Sequence, residues 1–401
     1  MSRTIVDVHI LHTVPPSNLN RDDTGAPKTA VYGGVRRARV SSQAWKRATR
    51  KAFESLLDPS ELGVRTKKVA AALAERISAL EPSLARETAL AAAAEAVHAA
   101  TGAKIEPPKR KSADAAKGGA DAPAPESSYL MFLSARQFDA LAVLALEGIK
   151  GSGDIKAFFK NRDNKARARE AAVTRHSVDI ALFGRMVADS SDINVDAAAQ
   201  VAHAISVHAV ENETDYFTAV DDRNEGDGES GAGMIGTVDF NSATLYRYAA
   251  LDIDALSRNL GQGLRDDEPV TDPVRRAVEA FIKGFAASVP TGKINTFGNQ
   301  TLPDAVVVKL RTSRPVNFVG AFETPVRADE DGGHLAKACA ALAAYVPNVE
   351  HAYGVEKDTH TWVVRVGPGT EPLADLGTAV TLPELTDAVG AAVAARLEQR
   401  G

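Results

Sequence analysis

The chain has 401 residues, of which 44% are hydrophobic and 25% charged, a balance typical of a globular protein large enough to fold as two or more units. Its 47 Lys and Arg against 52 Asp and Glu give a net charge of −5, and its single cysteine, Cys339, excludes an intramolecular disulfide and a CxxC zinc site. No run of about 18 apolar residues is present, so we expect no membrane span and a cytoplasmic location.

The N-terminal part of the chain is predicted to form a strand, a loop, a second strand and a helix. Residues 4–12 alternate between apolar and polar side chains, as a half-buried strand does. Residues 13–34 are rich in Pro, Asn, Asp and Gly, which favour a loop, and residues 35–40 predict a short extended segment. Ser41 and Ser42 are good N-cap residues for the helix that follows, in which apolar residues recur three or four apart.

Residues 59–174 are predicted to be a helical insertion, because Ala-rich stretches with helical spacing dominate them. Within it, residues 104–128 are rich in Pro, Ala, Gly, Lys and Asp and predict a mobile loop. A further helix is predicted over about 195–210 and a paired or bent strand over 237–248, after which helices and strands alternate. The pattern indicates an α+β protein, compatible with a ferredoxin-like or RRM-like core that is interrupted by a helical insertion and a long hairpin.

The strongest functional signal is a basic segment at 36–51, in which seven of the sixteen residues are Lys or Arg and none is acidic. The remainder of the chain carries 40 basic and 52 acidic residues, a charge of −12, so the positive charge is concentrated in one place. Such a segment predicts a docking surface for a polyanion, above all nucleic acid, with a solvated basic helix face as the alternative. An anion near the start of the helix would meet unpaired N–H groups and the positive end of the helix dipole. These groups bind phosphate and sugar without reading base identity.

Other motifs give weaker signals. Asp22 and Asp23 are candidates for holding a metal ion in RNA cleavage, but we favour a role in holding the loop in shape. Phe217 and Met186 lie beside glycine-rich or polar loop sequence, and each is a candidate wedge against a base or an ordinary core residue. The glycine pattern at 226–231 lacks the strand and the amphipathic helix that a dinucleotide site needs, so no cofactor is expected.

A set of short segments makes the chain similar to a known family. They are HIL at 9–11, NLNRDD at 18–23, GGVRRARVSSQAWKRATRK at 33–51, VDIALFGRM at 178–186, AHAISVH at 202–208, DYFTAVDD at 215–222 and the GT–F–YRYA pattern at 236–249. Together they resemble the CasC-type backbone subunits of the type I-E CRISPR Cascade complex. The helical insertion and the C-terminal third match that family only in size and general pattern.

The resemblance implies an architecture and a function. The architecture is an RRM-like palm from 1–58 and 175–401, a helical fingers domain at 59–174 and a long β-hairpin thumb at about 209–240. Members assemble head-to-tail along CRISPR guide RNA with other Cascade subunits, and the exposed guide bases pair with target DNA in antiviral defence. A recruited helicase-nuclease then cleaves the DNA, so the chain itself is expected not to be an enzyme. A metal-dependent RNA endonuclease and a generic single-stranded RNA-binding protein remain as alternatives.

The resemblance also assigns site residues by position. The set expected to hold the RNA phosphates is Asn20, Arg21, Lys28, Arg37, Arg39, Ser41, Ser42, Gln43, Lys46, Arg47 and Arg50. Phe217 would lie where the thumb of one subunit kinks the RNA, and Met186 would pack on a neighbouring base. No metal ligand is implied.

Overall fold

The computed structural model describes residues 3–107, 124–187, 191–219, 234–261, 268–269, 271–328, 330 and 333–400. The chain divides into two compact units. The first unit contains residues 1–56, 199–253 and 278–401, and the second contains 57–198 and 254–277. None of the helices in these described ranges is long and apolar enough to cross a membrane.

Strands and helices are mixed along the whole chain. The strands are β1 (Ile5–Ser17), β2 (Thr29–Tyr32), β3 (Val35–Val40), β4 (Gly63–Thr66), β5 (Ile105–Glu106), β6 (Glu126–Ser127), β7 (Met131–Ser134), β8 (Ala199–Val201), β9 (Ala204–Ser206), β10 (Glu213–Ala219), β11 (Met234–Asp252), β12 (Ala305–Arg311), β13 (His360–Arg365) and β14 (Thr378–Ala379). The α-helices are α1 (Ser42–Leu56), α2 (Val69–Leu80), α3 (Arg86–Thr101), α4 (Ala135–Ser152), α5 (Ile155–Lys160), α6 (Arg162–Val173), α7 (Val178–Phe183), α8 (Ile253–Leu260), α9 (Thr271–Ala287), α10 (Ile294–Phe297), α11 (Leu335–Tyr353) and α12 (Leu382–Glu398).

The first unit is built on one large sheet around β1. Within the described residues, its strand order is β14-β13-β12-β1-β11-β9-β3-β2, and β8 and β10 also pair with β11. β1 runs antiparallel to β11 on one side and to β12 on the other, with Ile5 opposite Asp252 and Arg311. Most side chains of β1 are buried, which indicates that both faces of this strand are covered.

One face of this sheet packs on α11 through an aromatic and aliphatic core, which includes Tyr246, Phe318 and Phe322. Two opposite charges are buried in the same layer. The carboxylate of Asp7 accepts a hydrogen bond of 2.7 Å from Arg311 Nε, and both side chains are fully buried. A buried charge is offset by an opposite charge or by several hydrogen bonds, because desolvation penalises an isolated ion by several kcal/mol or more. The pair therefore joins β1 to β12 inside the core.

The second unit is a helical bundle with its own core. Small and aliphatic side chains such as Leu73, Ala93, Leu141 and Ala168 fill the space between α2, α3, α4 and α6. Because alanine is small, these helices approach each other closely. α4 begins with a capping box, in which Ser134 and the residue three positions later satisfy each other's backbone N–H groups.

The α+β class and several predicted elements are confirmed. The sheet and helices form a mixed structure, with strands where 4–12, 35–40 and 237–248 predict them and a helix after Ser41. The helical content of 59–174 is also confirmed, although the second unit extends beyond that range to residue 198. The predictions agree with the structure where a local pattern and the tertiary environment favour the same conformation.

Two of the predicted elements are wrong. The segment 195–210 is not a helix but contains β8 and β9, because its backbone pairs with β11 and this pairing outweighs the helix propensity of its alanines. The predicted loop over 13–34 is shorter than expected, since β1 continues to Ser17 and β2 begins at Thr29.

Two predictions fall on residues that the structure does not describe. The predicted mobile loop at 104–128 begins and ends in β5 and β6, which pair with each other, but residues 108–123 lie outside the described ranges. The glycine pattern at 226–231 also lies outside them. The expectations for these segments stay predictions.

Candidate nucleic-acid interface

The helix α1 carries two different faces. Ser41 precedes it, and its carbonyl oxygen accepts the N–H groups of Ala44 at 3.0 Å and Trp45 at 3.2 Å, as an N-cap residue does. One face of the helix is buried, with Trp45, Thr49 and Phe53 one turn apart. A second face presents polar and basic side chains to solvent, namely Gln43, Arg47 and Lys51, which are again four residues apart.

The loop between β1 and β2 is attached to the start of α1. Asn20 accepts a hydrogen bond of 2.9 Å from the Ser41 N–H through its side-chain oxygen. Its backbone carbonyl accepts the Lys28 N–H, also at 2.9 Å. Asn18 closes the loop from within by donating to the carbonyl of Gly25. Asn20 therefore places Arg21 and Lys28 beside the N-terminus of the basic helix.

Asp22 holds the same loop in shape. Its Oδ1 accepts three hydrogen bonds, from the N–H and the hydroxyl of Thr24 at 2.9 and 2.7 Å and from the Ala26 N–H at 3.1 Å. These bonds, that from the Thr24 hydroxyl first, lower the pKa of Asp22 below its ordinary value. In the described part of the chain, no group of three or more His, Cys, Asp or Glu side chains is arranged to hold a metal ion. The contacts of Asp22 fit the structural role favoured from the sequence.

A groove of about 1450 Å³ runs along this surface of the first unit. Its first wall is polar and charged, with four basic residues and the two carboxylates of Asp22 and Asp23. Six of the residues predicted to hold phosphates line it, namely Asn20, Arg21, Lys28, Ser41, Gln43 and Arg47, together with Lys51. The groove therefore brings into one site residues from the β1–β2 loop and from α1 that are as far apart in sequence as Asn20 and Lys51.

The second wall of the groove was not predicted from the sequence. It is formed by residues 287–292, 294 and 300–302, which follow the end of α9. Gly292 packs directly on the backbone of the β1–β2 loop, and a Cβ atom there would lie only 2.4 Å from the carbonyl oxygen of Leu19. Any larger residue would push the two walls apart. This wall carries little charge, so the distribution of basic residues in the sequence does not indicate it. The local sequence signal for the wall is Gly292 within the Pro-Thr-Gly sequence.

Arg37 does not belong to the groove, which corrects its predicted role. Its side chain is fully buried, with a relative exposure of 0%. The guanidinium donates to the backbone carbonyls of Tyr32, Ser206, Phe322 and Glu323 at 2.9–3.2 Å. Since this guanidinium is already bonded inside the protein, it supports the fold and is not available to a phosphate.

The remaining basic residues of the predicted set lie near the groove but do not line it. Arg39 is half-buried and donates from Nε to the carbonyl of Thr29 at 3.0 Å, while a terminal nitrogen lies 3.2 Å from His203 Nδ1. Burial, and then the positive charges of Arg39 and Lys28, lower the pKa of His203. Three further residues of the predicted set lie on α1 and are half-buried, namely Ser42, Lys46 and Arg50.

Phe217 lies on the two-stranded arm formed by β10 and the start of β11. It is the cross-strand partner of Gly236, and its ring covers this glycine so closely that a Cβ there would lie 2.4 Å from Phe217 Cζ. The side chain remains 39% exposed, so it is not a core residue. The predicted thumb thus has paired arms over 213–219 and 234–240, and residues 220–233 between them lie outside the described ranges.

Met186 is an exposed residue of the second unit. Its relative exposure of 84% excludes the alternative that it belongs to the core. The residue before it, Arg185, is buried and donates to the carbonyls of Ile193 and Ala172 at 2.7 and 2.8 Å. This anchor fixes the backbone from which the Met186 side chain extends into solvent.

Both the sequence and the fold have known relatives. Residues 6–388 match the family described as CT1975-like protein. The chain is similar to a chain in the solved structure "CRISPR RNA-guided surveillance complex, pre-nicking", with 34% identity and a TM-score of 0.78 over 97% of this chain and 100% of that one. It is also similar to a chain in "CRISPR RNA-guided surveillance complex", with 31% identity and a TM-score of 0.69 over 97% of this chain and 99% of that one. No curated protein matches the chain.

Proposed function

Since the chain belongs to the CT1975-like family, we propose that it is an RNA-binding backbone subunit of a CRISPR RNA-guided surveillance complex. The similarity to chains of two such complexes, each over 97% of this chain, supports this role. The observation that carries it is the groove, because six residues assigned to phosphates from the sequence meet on one wall of it.

The chemistry of the groove suits the sugar-phosphate backbone of single-stranded RNA. Arg21, Lys28 and Arg47 are cations on its first wall, and they attract phosphates and release the counterions that a free polyanion carries. Gln43 and Ser41 add neutral hydrogen-bonding groups at the start of α1. None of these contacts requires a particular base, so the guide bases stay free to pair with target DNA.

We also propose a three-part architecture for the chain and a head-to-tail assembly of its copies. The strands around β1 act as an RRM-like palm, the second unit supplies the fingers, and the arm of β10 and β11 is the thumb. Copies of the chain assemble head-to-tail along the guide RNA with other Cascade subunits of a type I-E complex. A heterologous interface of this kind produces an open helical filament. In it, Phe217 lies at a kink in the RNA and Met186 packs on a base.

We expect Arg47→Ala to test the groove directly. Arg47 is exposed and lines the groove, so its loss weakens binding of unrelated single-stranded RNA sequences alike. The slope of log K against log salt falls by about 0.7, the value for one phosphate contact on a single strand. Binding titrations at several salt concentrations measure both effects.

Arg36→Ala is the matched control for Arg47→Ala. Arg36 is exposed in the same basic segment but is not among the residues that line the groove. Its substitution is therefore expected to leave the salt slope unchanged. Equal effects of the two substitutions would indicate non-specific attraction by the basic segment and would contradict binding in the groove.

A further inference from the structure

A buried arginine lies between the two walls of the groove. Arg247 of β11 is fully buried, on the face of the sheet opposite to Tyr246, because successive side chains of a strand alternate. Its guanidinium carbon lies 3.7 Å from the centroid of the Trp45 ring and 4.7 Å from that of Phe285. Trp45 belongs to the buried face of α1, so Arg247 is in direct contact with the helix that forms the first wall.

The same guanidinium is bonded to the start of the second wall. Its terminal nitrogens donate to the carbonyls of Phe285 and Ala286, which are at the C-terminal end of α9, immediately before residue 287. The last carbonyls of a helix lack partners within the helix and carry the negative end of its dipole. Arg247 satisfies them and so fixes the point from which the second wall leaves the helix.

A directed chain of hydrogen bonds leads from Arg247 to the far end of the second wall. Arg247 lies 3.1 Å from His12 Nδ1, and because a guanidinium only donates, this nitrogen accepts. His12 then donates from Nε2 to the hydroxyl of Thr301 at 2.9 Å. Thr301 donates in turn to the carbonyl of Thr13 at 3.1 Å and lines the groove.

No carboxylate forms a salt bridge with Arg247 within the residues that the structure describes. The positive charge is offset instead by the two carbonyls and by the faces of two aromatic rings. If Arg247 served only to stabilise the core, an apolar side chain would fill this space without the desolvation cost of a charge. What an apolar side chain lacks is the set of donors that connect one wall to the other.

We propose that Arg247 is a positioning residue for the RNA groove, which from inside the core holds α1 and the segment 287–302 at the spacing that binds the RNA backbone. The proposal rests on the proposed function of the groove. Arg247 itself does not touch RNA, and it acts through Trp45 on one wall and through Phe285, Ala286 and Thr301 on the other.

The test replaces Arg247 by methionine, which has a similar length but no donors. Arg247→Met is expected to weaken binding of single-stranded RNA about tenfold, the loss that follows when one or two charge-assisted phosphate contacts are made in poor geometry. The salt slope is expected to fall by about 0.7 or more, since phosphate contacts of α1 are lost although no surface charge was removed. Arg247→Lys keeps the charge but replaces the forked guanidinium by a single ammonium nitrogen, which cannot reach both walls, and its affinity is expected to lie between those of wild type and Arg247→Met.

Lys309→Met is the matched control, because Lys309 is also a buried cation of the same sheet but is bonded to Glu350. It is expected to lower the melting temperature and to leave the affinity and salt slope of the folded protein unchanged. Tryptophan fluorescence provides a second readout. Each variant is combined with Trp362→Phe, so that Trp45 is the only tryptophan that emits. A red shift in Arg247→Met with unchanged helix content is expected, because it reports displacement of α1.

Wild-type affinity and slope in Arg247→Met would overturn the inference and leave the proposed function intact. Failure of the wild-type protein to bind RNA would instead overturn the proposed function. If Arg247→Met does not fold, His12→Asn keeps an acceptor for Arg247 but is too short to reach Thr301. Unchanged RNA binding by a folded His12→Asn protein would then also contradict the inference, whereas weaker binding with a lower slope supports it.

Discussion

At the scale of single residues, the basic segment at 36–51 divides between the core and the groove. The sequence marks Arg37 and Arg47 as equivalent members of one basic segment, yet Arg37 is fully buried and Arg47 is exposed in the groove. The strand β3 places Arg37 under the backbone carbonyls of segments that are more than 160 residues away in the chain. No local pattern contains those carbonyls, so the sequence predicts the basic surface but not which of its arginines is part of the core.

Asp22 holds the β1–β2 loop through the hydrogen bonds that its Oδ1 accepts. Asp22→Ala removes three hydrogen bonds from the loop, so we expect it to reduce the protection of the Thr24 and Ala26 amides against hydrogen exchange. Asp22→Asn keeps the Oδ1 acceptor and is expected to keep much of this protection. The pKa of Asp22 is lowered in the folded protein. Its contribution is therefore present at neutral pH and is lost as the pH falls through the folded pKa, below the ordinary value of 3.8.

The same two variants separate a structural role from a catalytic one. RNA incubated with the protein and Mg²⁺ is expected to remain intact with wild type, Asp22→Asn and Asp22→Ala alike. Site-specific cleavage by wild type that disappears in Asp22→Asn, in which the loop is kept, would favour the endonuclease alternative. Asp23→Ala tests the neighbouring exposed carboxylate, the second candidate, in the same way, and a loss of cleavage in this variant would also favour the endonuclease.

At the scale of elements, the sequence was reliable where a local signal decides the structure. The N-cap at Ser41 and the spacing of Trp45, Thr49 and Phe53 suffice to predict α1 and its buried face. By contrast, the alanines of 195–210 predict a helix, but the backbone of that segment pairs with the long strand β11 and forms part of the sheet. No local pattern predicts the second wall at 287–302, because its part in the groove depends on the packing of Gly292 against a loop more than 270 residues earlier.

In the arm of β10 and β11, the Phe217 ring lies against the backbone of Gly236. Gly236→Ala is expected to displace the Phe217 ring, because the added Cβ would lie 2.4 Å from Phe217 Cζ. If Phe217 acts at an RNA kink made between subunits, then Gly236→Ala and Phe217→Ala both impair assembly of several copies on a long RNA. Affinity of one subunit for a short RNA is expected to stay unchanged in both. Size-exclusion chromatography with light scattering measures the assembly.

Tyr216→Ala is the control for this pair of substitutions. Tyr216 is 60% exposed and projects from the opposite face of the arm, since neighbouring residues of a strand alternate. Its substitution is expected to leave the Phe217 ring in place. An assembly defect in Tyr216→Ala as large as that in Phe217→Ala would show that the arm has no preferred face, and the assignment of Phe217 would fail.

At the scale of the whole molecule, each of the two units contains a buried histidine that is kept neutral. Burial lowers the pKa of His208 in the first unit to about 4 and that of His176 in the second unit to about 4. Both values lie below the ordinary value of 6.5, which applies in the unfolded chain. Between pH 6.5 and about pH 4, these histidines take up protons in the unfolded chain but stay neutral in the folded protein. The free energy of unfolding therefore decreases as the pH falls from about 6.5 to about 4.

We therefore expect the protein to lose stability between pH 7 and pH 5, by about 2 kcal/mol for each such histidine. Because His208 and His176 belong to different units, substituting one of them reduces the pH dependence of its own unit alone. Denaturant unfolding of His208→Gln and His176→Gln at pH 7 and pH 5, followed with probes placed in each unit, measures the change in the free energy of unfolding. If both units unfold in one transition, each variant instead removes about 2 kcal/mol from the pH dependence of that transition. A pH dependence that is the same in both variants and in wild type would contradict the burial of neutral histidines as its cause.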